Sequence, residues 1–109
     1  MAFSRYDVYW VKLDPARGSE IRKTRPGVIV SLDPLNRALE TVVVCPLTSQ
    51  LHPDWRSRIG ISIGGRRAEI AADQIRAVSK RRLGRKLGSL SKRDASALRR
   101  LLNEMYCSE

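Results

Sequence analysis

An arginine that directly precedes a proline is the first residue of this sequence that is placed to do chemistry. Arg25 comes before Pro26, and a residue before proline is driven into an extended conformation. Its guanidinium is therefore a fixed cation at the entrance of a predicted strand, beside the polar loop 14–24. A guanidinium fork suits phosphate and other oxyanions. The alternative is a surface arginine that pairs with Glu20 or Asp73.

A cluster of small polar side chains follows a very apolar predicted strand. It consists of Thr48, Ser49 and Gln50. Hydroxyls and an amide at the end of a strand can bind phosphates and base edges, but the same residue types also cap turns. Asp73 and Gln74 lie at another predicted strand boundary, and the same two interpretations apply to them.

The histidine and cysteine content excludes several classes of site. His52 is the only histidine, which excludes the usual zinc sites and any acid–base pair of two histidines. Cys45 and Cys107 cannot make a metal cluster or a disulfide framework by themselves. We therefore expect no metal and no cofactor.

The apolar pattern predicts the strands that must hold these residues. Runs of β-branched and aromatic residues, period-two alternation and intervening turn signals predict strands over 7–13, 27–31, 39–45, 58–63, 66–71 and 73–78. Pro46 is expected to end the third strand, and residues 33–36 are expected to form a turn. Gly64-Gly65 predicts a two-residue hairpin turn. Residues 80–86 are expected to be a basic connection.

The last segment of the chain changes to a helical period. Ser91 with Asp94 three residues later is typical of a helix N-cap. The apolar stripe that follows consists of Ala95, Leu98, Leu101, Leu102 and Met105. Five or six short strands plus a C-terminal amphipathic helix predict a mainly β fold, a small bent sheet or barrel, because so few strands must close or be covered to protect their edges.

Size and hydropathy limit where the protein can act. A chain of 109 residues is expected to form one domain, 1–109. No run approaches the ~20 apolar residues that span a bilayer, and the N-terminus has no apolar signal region. We therefore expect a cytoplasmic protein with no membrane partner.

The charge is strongly positive and unevenly distributed. The net charge is +10; residues 1–54 carry seven basic and six acidic side chains, and residues 55–109 carry fourteen and five. Such asymmetry predicts a polyanionic partner: nucleic acid, an acidic protein segment or an anionic membrane face. The alternative is a basic surface that only keeps the protein in solution.

A resemblance to a known family covers nearly the whole chain. Residues 7–31, DVYWVKLDPARGSEIRKTRPGVIVS, are similar to the signature of the MazF/PemK toxins, the small endoribonucleases of bacterial toxin–antitoxin pairs. CPLTSQ at 45–50, DQIR at 73–76 and KRRL at 80–83 follow in the family's order and spacing. The resemblance implies an SH3-like barrel, a homodimer, cleavage of single-stranded RNA, and inhibition by an antitoxin with an acidic, disordered tail.

The resemblance also implies roles for individual residues. Arg25 matches the family's catalytic arginine, and Thr48 matches its catalytic threonine or serine. The candidate RNA-contacting residues are Ser19, Glu20, Lys23, Ser49, Gln50, Asp73 and Gln74. The implied reaction uses the substrate's own 2′-OH as nucleophile, needs no metal, and relies on Arg25 to stabilise the phosphorane and on Thr48 to orient the phosphate. Tyr6 departs from the family pattern, which usually has a glycine before Asp7.

Two other functions use the same type of barrel. A CcdB-like protein inhibits DNA gyrase instead of cutting RNA, and a non-catalytic barrel would bind nucleic acid through the basic second half of the chain. Arg25 at the proline junction, together with Thr48 after the third strand, favours the sequence-selective endoribonuclease over both.

Overall fold

One curled sheet with a helix at the end of the chain forms the protein, in a computed structural model that describes residues 2–107. The strands are β1 (Asp7–Lys12), β2 (Thr24–Ile29), β3 (Thr41–Thr48), β4 (Arg58–Ile63), β5 (Arg66–Ala71), β6 (Arg76–Ser79) and β7 (Leu83–Ser89). The helices are α1 (Asp33–Ala38) and α2 (Lys92–Tyr106), and 3-10 turns span Ala72–Gln74 and Lys80–Arg82. The sheet order is β4-β5-β3-β2-β1-β7, with β6 paired to β3. The predicted mainly β fold with a C-terminal helix is confirmed.

The sheet buries apolar side chains on both faces. Successive residues of a strand point to opposite faces, so Val8 belongs to one core cluster while Tyr9 belongs to the other. Leu98 of α2 is fully buried in the cluster that contains Val8. The Ser91 Oγ accepts a hydrogen bond from the Asp94 backbone N–H at 3.1 Å, which confirms the predicted N-cap of α2. The helix therefore covers one face of the sheet.

The predicted end of the third strand at Pro46 is wrong. β3 continues through Pro46 to Thr48. Pro46 lies where the strand changes partner, because its register with β2 ends at the pair Gly27–Pro46 and its register with β5 begins at Leu47–Ile70. A proline, which lacks an N–H, is tolerated at such an interruption of the ladder.

The segment predicted as a turn at 33–36 forms the short helix α1. Pro34 lies in the first turn of the helix, where its missing N–H has no intrahelical partner to lose. Asn36 is buried, and its Nδ2 donates to the Ser31 backbone oxygen at 2.9 Å. Because the helix extends to Ala38, β3 begins at Thr41 and not at Leu39.

Two predictions in the second half of the chain are also corrected. Residues 73–78 are not one strand, because a 3-10 turn occupies Ala72–Gln74 before β6 begins. Residues 80–86 are not a loop: after the turn at Lys80–Arg82 they enter β7, which raises the strand count to seven. β7 pairs only with β1, with two irregularities in its register. Such an edge strand accepts basic residues and glycine more readily than a central one.

Tyr6 adopts a backbone conformation that favours glycine. Its φ is 72°, in the left-handed region that only glycine enters without steric cost. The Tyr6 N–H donates to the Ile29 oxygen at 2.6 Å, and the Tyr6 oxygen accepts from the Leu90 N–H at 2.9 Å. These two bonds hold Tyr6 in a conformation that glycine would adopt without steric cost.

The two cysteines are expected to react very differently with a thiol reagent. Burial raises the pKa of the Cys45 thiol to about 12, and Asp73 acts in the same direction, whereas Cys107 is exposed. Because the thiolate is the reactive form, the native protein at about pH 8 should be labelled at Cys107 alone. Peptide mass spectrometry checks this, with urea-unfolded protein, labelled at both cysteines, as the control. Rapid labelling of Cys45 in the native protein would contradict the expected burial.

Candidate active site

Arg25 and Thr48 lie on two neighbouring strands. β2 and β3 are antiparallel, and the last pair of their register joins Gly27 to Pro46. Arg25 and Thr48 each lie two residues beyond this pair, where β3 has already changed its partner to β5. Both residues therefore lie close to the point where the two strands diverge.

Arg25 and Thr48 also line one cavity of about 450 Å³, a size that is typical of ligand sites. Its wall comes from β2, the end of β3 and the β4–β5 hairpin, with Trp10 and Leu87 added from β1 and β7. The polar side chains of this wall are Arg25, Thr48, Ser49, Arg66 and Arg67. Among the described residues, the wall includes three arginines and no carboxylate, so its potential is positive.

Arg66 and Arg67 are site residues that the sequence pattern did not identify. The predicted hairpin turn at Gly64-Gly65 is confirmed, with positive φ values of 57° and 76° that suit a two-residue turn. The turn folds β5 back along β4, and β5 also pairs with β3, which brings the two arginines to the cavity. Two arginines directly after a hairpin turn were a visible signal, but their position relative to Arg25 depends on the pairing of β5 with β3.

The Arg25 guanidinium is exposed and has no acidic partner. Within the described chain, no carboxylate forms an ion pair with Arg25. The Glu20 carboxylate accepts a hydrogen bond from the Arg17 backbone N–H. Asp73 Oδ1 accepts one from Arg58 Nε at 3.0 Å. The alternative in which Arg25 pairs with Glu20 or Asp73 is therefore wrong, and the guanidinium is available to an anion.

Thr48 both caps a turn and faces the cavity. Its Oγ1 accepts a hydrogen bond from the Gln50 backbone N–H at 3.1 Å. Because a hydroxyl is also a donor, the Thr48 O–H can still donate a hydrogen bond to a bound anion. Ser49 lines the cavity beside Thr48. Gln50 is exposed and lies outside the cavity wall.

The remaining candidate RNA contacts lie outside this wall. Lys23 is exposed and precedes Arg25 by two residues, while Ser19 and Glu20 lie in the exposed loop between β1 and β2. The Gln74 side chain is hydrogen-bonded to the backbone of that loop. Asp73 is ion-paired with Arg58. The structure thus brings Arg25, Thr48 and Ser49 together on one cavity wall and leaves the others outside it.

A buried ion pair fixes the loop that follows Thr48. The side chains of Arg58 and Glu69 are 7% and 5% exposed, with 3.5 Å between Arg58 Nη1 and Glu69 Oε1. Glu69 Oε1 also accepts a hydrogen bond from the His52 backbone N–H at 2.9 Å. Trp55 stacks on His52 with ring centroids 3.9 Å apart, and the Arg58 guanidinium lies 4.7 Å from the Trp55 ring centroid. Trp55 therefore packs against His52 of its own loop and Arg58 at the start of β4.

Metal-ligand clusters and membrane-spanning helices are both absent from residues 2–107. No three histidine, cysteine, aspartate or glutamate side chains in this range come together as a metal site. The longer helix, α2, has 15 residues, and neither helix has the length and apolar character that crossing a membrane requires.

The geometry of the cavity suits a phosphodiester. The Arg25 guanidinium offers parallel N–H donors to two phosphate oxygens, and the Thr48 hydroxyl offers another from the neighbouring strand. Arg66 and Arg67 add positive charge to the same wall. Trp10 contributes an aromatic surface to the apolar wall, and nucleic-acid bases stack on such surfaces.

Comparison with known proteins identifies the family to which the chain belongs. A family described as PemK-like, MazF-like toxin of type II toxin-antitoxin system matches residues 4–106. Endoribonuclease MazF9 of Mycobacterium tuberculosis is 31% identical to the chain; the match covers 86% of this chain and 87% of that protein.

Solved structures show the same fold at lower identity. A crystal structure of MazF from Deinococcus radiodurans has a TM-score of 0.84 at 20% identity and covers 96% of both chains. A mycobacterial endoribonuclease in complex with its cognate antitoxin has a TM-score of 0.79 at 23% identity, covering 94% of this chain and 93% of that one. Since the family match spans nearly the whole length, the chain belongs to the PemK-like, MazF-like toxins of type II toxin–antitoxin systems.

Proposed function

We propose that this protein is an endoribonuclease toxin that cuts single-stranded RNA at selected sequences without a metal ion. Its family supports the role of toxin, and its relative MazF9 is named an endoribonuclease. The observation that carries the proposal is that Arg25 and Thr48, from the neighbouring strands β2 and β3, line the wall of one positively charged cavity. Residues 1–109 act as one toxin domain.

The proposed reaction is an attack by the RNA on itself. The 2′-oxygen forms a bond to the adjacent phosphorus, the bond from phosphorus to the 5′-oxygen breaks, and the products are a 2′,3′-cyclic phosphate and a 5′-OH. The 2′-OH loses its proton in this step, and the 5′-oxygen gains one. Negative charge grows on the phosphate oxygens as the phosphorane forms, which is where preorganised donors have their largest effect.

Arg25 and Thr48 supply those donors. A guanidinium keeps its charge and its fork geometry in proteins, so Arg25 stabilises the growing charge on two phosphate oxygens. Thr48 donates a hydrogen bond from its hydroxyl to a phosphate oxygen and thereby orients the phosphate. Both side chains belong to strands and not to a loop, which suits a site that must hold its geometry through the reaction.

The RNA is proposed to extend from this cavity over neighbouring basic and polar groups. Ser49 is adjacent to Thr48 on the wall, and Lys23 is exposed on the approach to Arg25. Arg66 and Arg67 join them as phosphate contacts, because both line the same wall as Arg25 and the described residues of that wall include no carboxylate. The remaining candidate RNA contacts are proposed to flank this path; they are Ser19, Glu20, Gln50, Asp73 and Gln74.

The positive charge also supports a protein partner. We propose a cognate antitoxin whose acidic, disordered tail lies over the cavity, since a net charge of +10 attracts such a tail at long range. Its mycobacterial structural neighbour was solved with a cognate antitoxin. We further propose that the toxin acts in the cytoplasm as a homodimer.

Incubation of the purified protein with a long RNA in EDTA tests the proposed function. We expect discrete fragments that carry 2′,3′-cyclic phosphate ends, detected by mass spectrometry. Intact RNA together with inhibition of DNA gyrase would instead support the CcdB-like function. A gel shift without cleavage would support the non-catalytic barrel. Either of these results would overturn the proposal.

A further inference from the structure

The loop between β1 and β2 has an internal order of its own. This loop, residues 13–23, is closed at its base by the Leu13 N–H, which donates to the Lys23 oxygen at 2.8 Å. Inside it, the Glu20 N–H donates to the Arg17 oxygen at 3.1 Å, and Arg22 Nη2 donates to the Gly18 oxygen at 3.3 Å. These bonds shape the loop but do not attach it to the body of the protein.

Two arginines from distant parts of the chain attach the first half of the loop. Arg82 Nη1 donates to the backbone oxygens of Lys12 and Asp14, at 3.1 and 2.6 Å. Arg76 Nη1 donates to the backbone oxygen of Leu13 at 3.2 Å. Three successive carbonyls at the end of β1 thus accept bonds from guanidinium groups, and such charge-assisted bonds are stronger than neutral ones.

Gln74 attaches the second half of the loop. Its Oε1 accepts from the Ile21 N–H at 3.3 Å, and its Nε2 donates to the Ser19 oxygen at 3.5 Å. Together the three side chains contact the loop backbone on both sides of its tip. They come from consecutive segments, the turn Ala72–Gln74, the strand β6 and the turn Lys80–Arg82.

We propose that Gln74, Arg76 and Arg82 are positioning residues that clamp the β1–β2 loop for RNA binding, an inference that rests on the proposed function. The loop carries three basic side chains, Arg17, Arg22 and Lys23, and leads directly into Arg25. A loop that is already ordered loses less conformational entropy when RNA binds. Arg25 and Thr48 are held by the strands, so the clamp acts on binding and not on the chemical step.

The clamp divides the basic run 80–82 into residues with different roles. The Arg82 side chain is half-buried and turned onto the loop backbone. The Arg81 side chain is exposed and makes no hydrogen bond or ion pair within residues 2–107. Replacing Arg81 removes the same charge from the same turn without removing a bond to the loop. Arg81→Ala is therefore a matched control for Arg82→Ala.

Limited trypsin digestion tests the clamp without any RNA. Cleavage after Arg17, Arg22 or Lys23 should become about tenfold faster in Arg82→Ala, because local opening exposes the loop backbone. It should stay within about threefold of the wild type in Arg81→Ala. Arg82→Lys should restore protection, because both bonds of Arg82 come from one nitrogen and an ammonium group has three donors.

RNA-cleavage kinetics test the consequence for the reaction. Arg82→Ala should raise KM about tenfold and leave kcat within about threefold, with Arg82→Lys close to the wild type. If Arg82→Ala does not fold, Gln74→Ala provides a second test because it loosens the other side of the loop. It is also expected to raise KM while leaving kcat nearly unchanged. Protection from trypsin is measured without RNA and does not depend on the proposed function. If the wild-type protein does not cleave RNA, the proposed function is refuted, and the trypsin experiment still tests the clamp.

Three results would overturn the clamp. The first is a wild-type trypsin pattern and wild-type KM in both Arg82→Ala and Gln74→Ala. The second is an equal rise of KM in Arg81→Ala and Arg82→Ala, which would assign both residues to a general basic surface. The third is a loss of kcat in Arg82→Ala as large as the rise in KM, which would place the effect in the chemical step.

Discussion

Arg25→Ala is expected to slow RNA cleavage by about 10²–10³-fold, the usual cost of removing one donor aimed at developing charge. The loss should be in kcat, because the phosphorane carries more charge on its oxygens than the bound phosphodiester does. Single-turnover cleavage of a short RNA at saturating protein measures it. The fold should remain intact, since Arg25 is exposed and forms no ion pair with the described residues.

Three further variants sharpen this result. Arg25→Lys keeps the charge but loses the fork, so it should also be slow. Thr48→Ala should slow cleavage less than Arg25→Ala, because it removes a neutral donor. Arg85→Ala, which removes an exposed arginine of the edge strand β7, is the matched control and should leave the rate near that of the wild type. A folded Arg25→Ala protein with undiminished activity would refute the assigned role.

An RNA substrate with a single 2′-deoxyribose on the 5′ side of the scissile bond is expected to bind normally and remain uncut. The proposed reaction uses that 2′-oxygen as its nucleophile, so removing it leaves nothing to attack the phosphorus. Gel-shift affinity and cleavage of the same oligonucleotide measure binding and reaction separately. Cleavage should be undetectable with EDTA present, while the affinity should change by less than about threefold.

The position of the deoxyribose provides the control for this experiment. The same substitution on the 3′ side of the scissile bond leaves the nucleophile in place, so that RNA should be cut at nearly the normal rate. Cleavage of the first substrate at the normal rate would exclude 2′-OH attack and point to water as the nucleophile. Detection of a cyclic phosphate on the all-ribose RNA identifies the proposed route independently.

Elements that depend on local chemistry were predictable from the sequence. The alternation in β4, the Gly64-Gly65 turn and the cap at Ser91 each involve residues close in the chain, and each is confirmed. Arg25 and Thr48 were identified as candidates by motif and resemblance, because an arginine before proline and a hydroxyl after an apolar run can be recognised from the sequence alone. Their assignment as the reacting pair remains a prediction.

Features that depend on pairing between distant segments were not predictable. Pro46 lies inside β3 because the strand changes partners there, and the basic residues after Arg82 form a strand because β1 offers an edge. Gln74 was named as a candidate RNA contact, which stays a prediction; no local pattern indicated that its side chain bonds to a loop more than 50 residues earlier.

The sequence by itself determined the residue types that this protein can use: an arginine before a proline, hydroxyls after a strand, and a large excess of positive charge. Only the tertiary structure decided where they act. The pairing of β2 with β3 brought Arg25 and Thr48 to one cavity, and the β4–β5 hairpin brought Arg66 to the same cavity. The physical reason is that a strand register is selected by the burial of all the apolar residues on a shared face. A local sequence pattern does not indicate which distant strand provides the rest of that face.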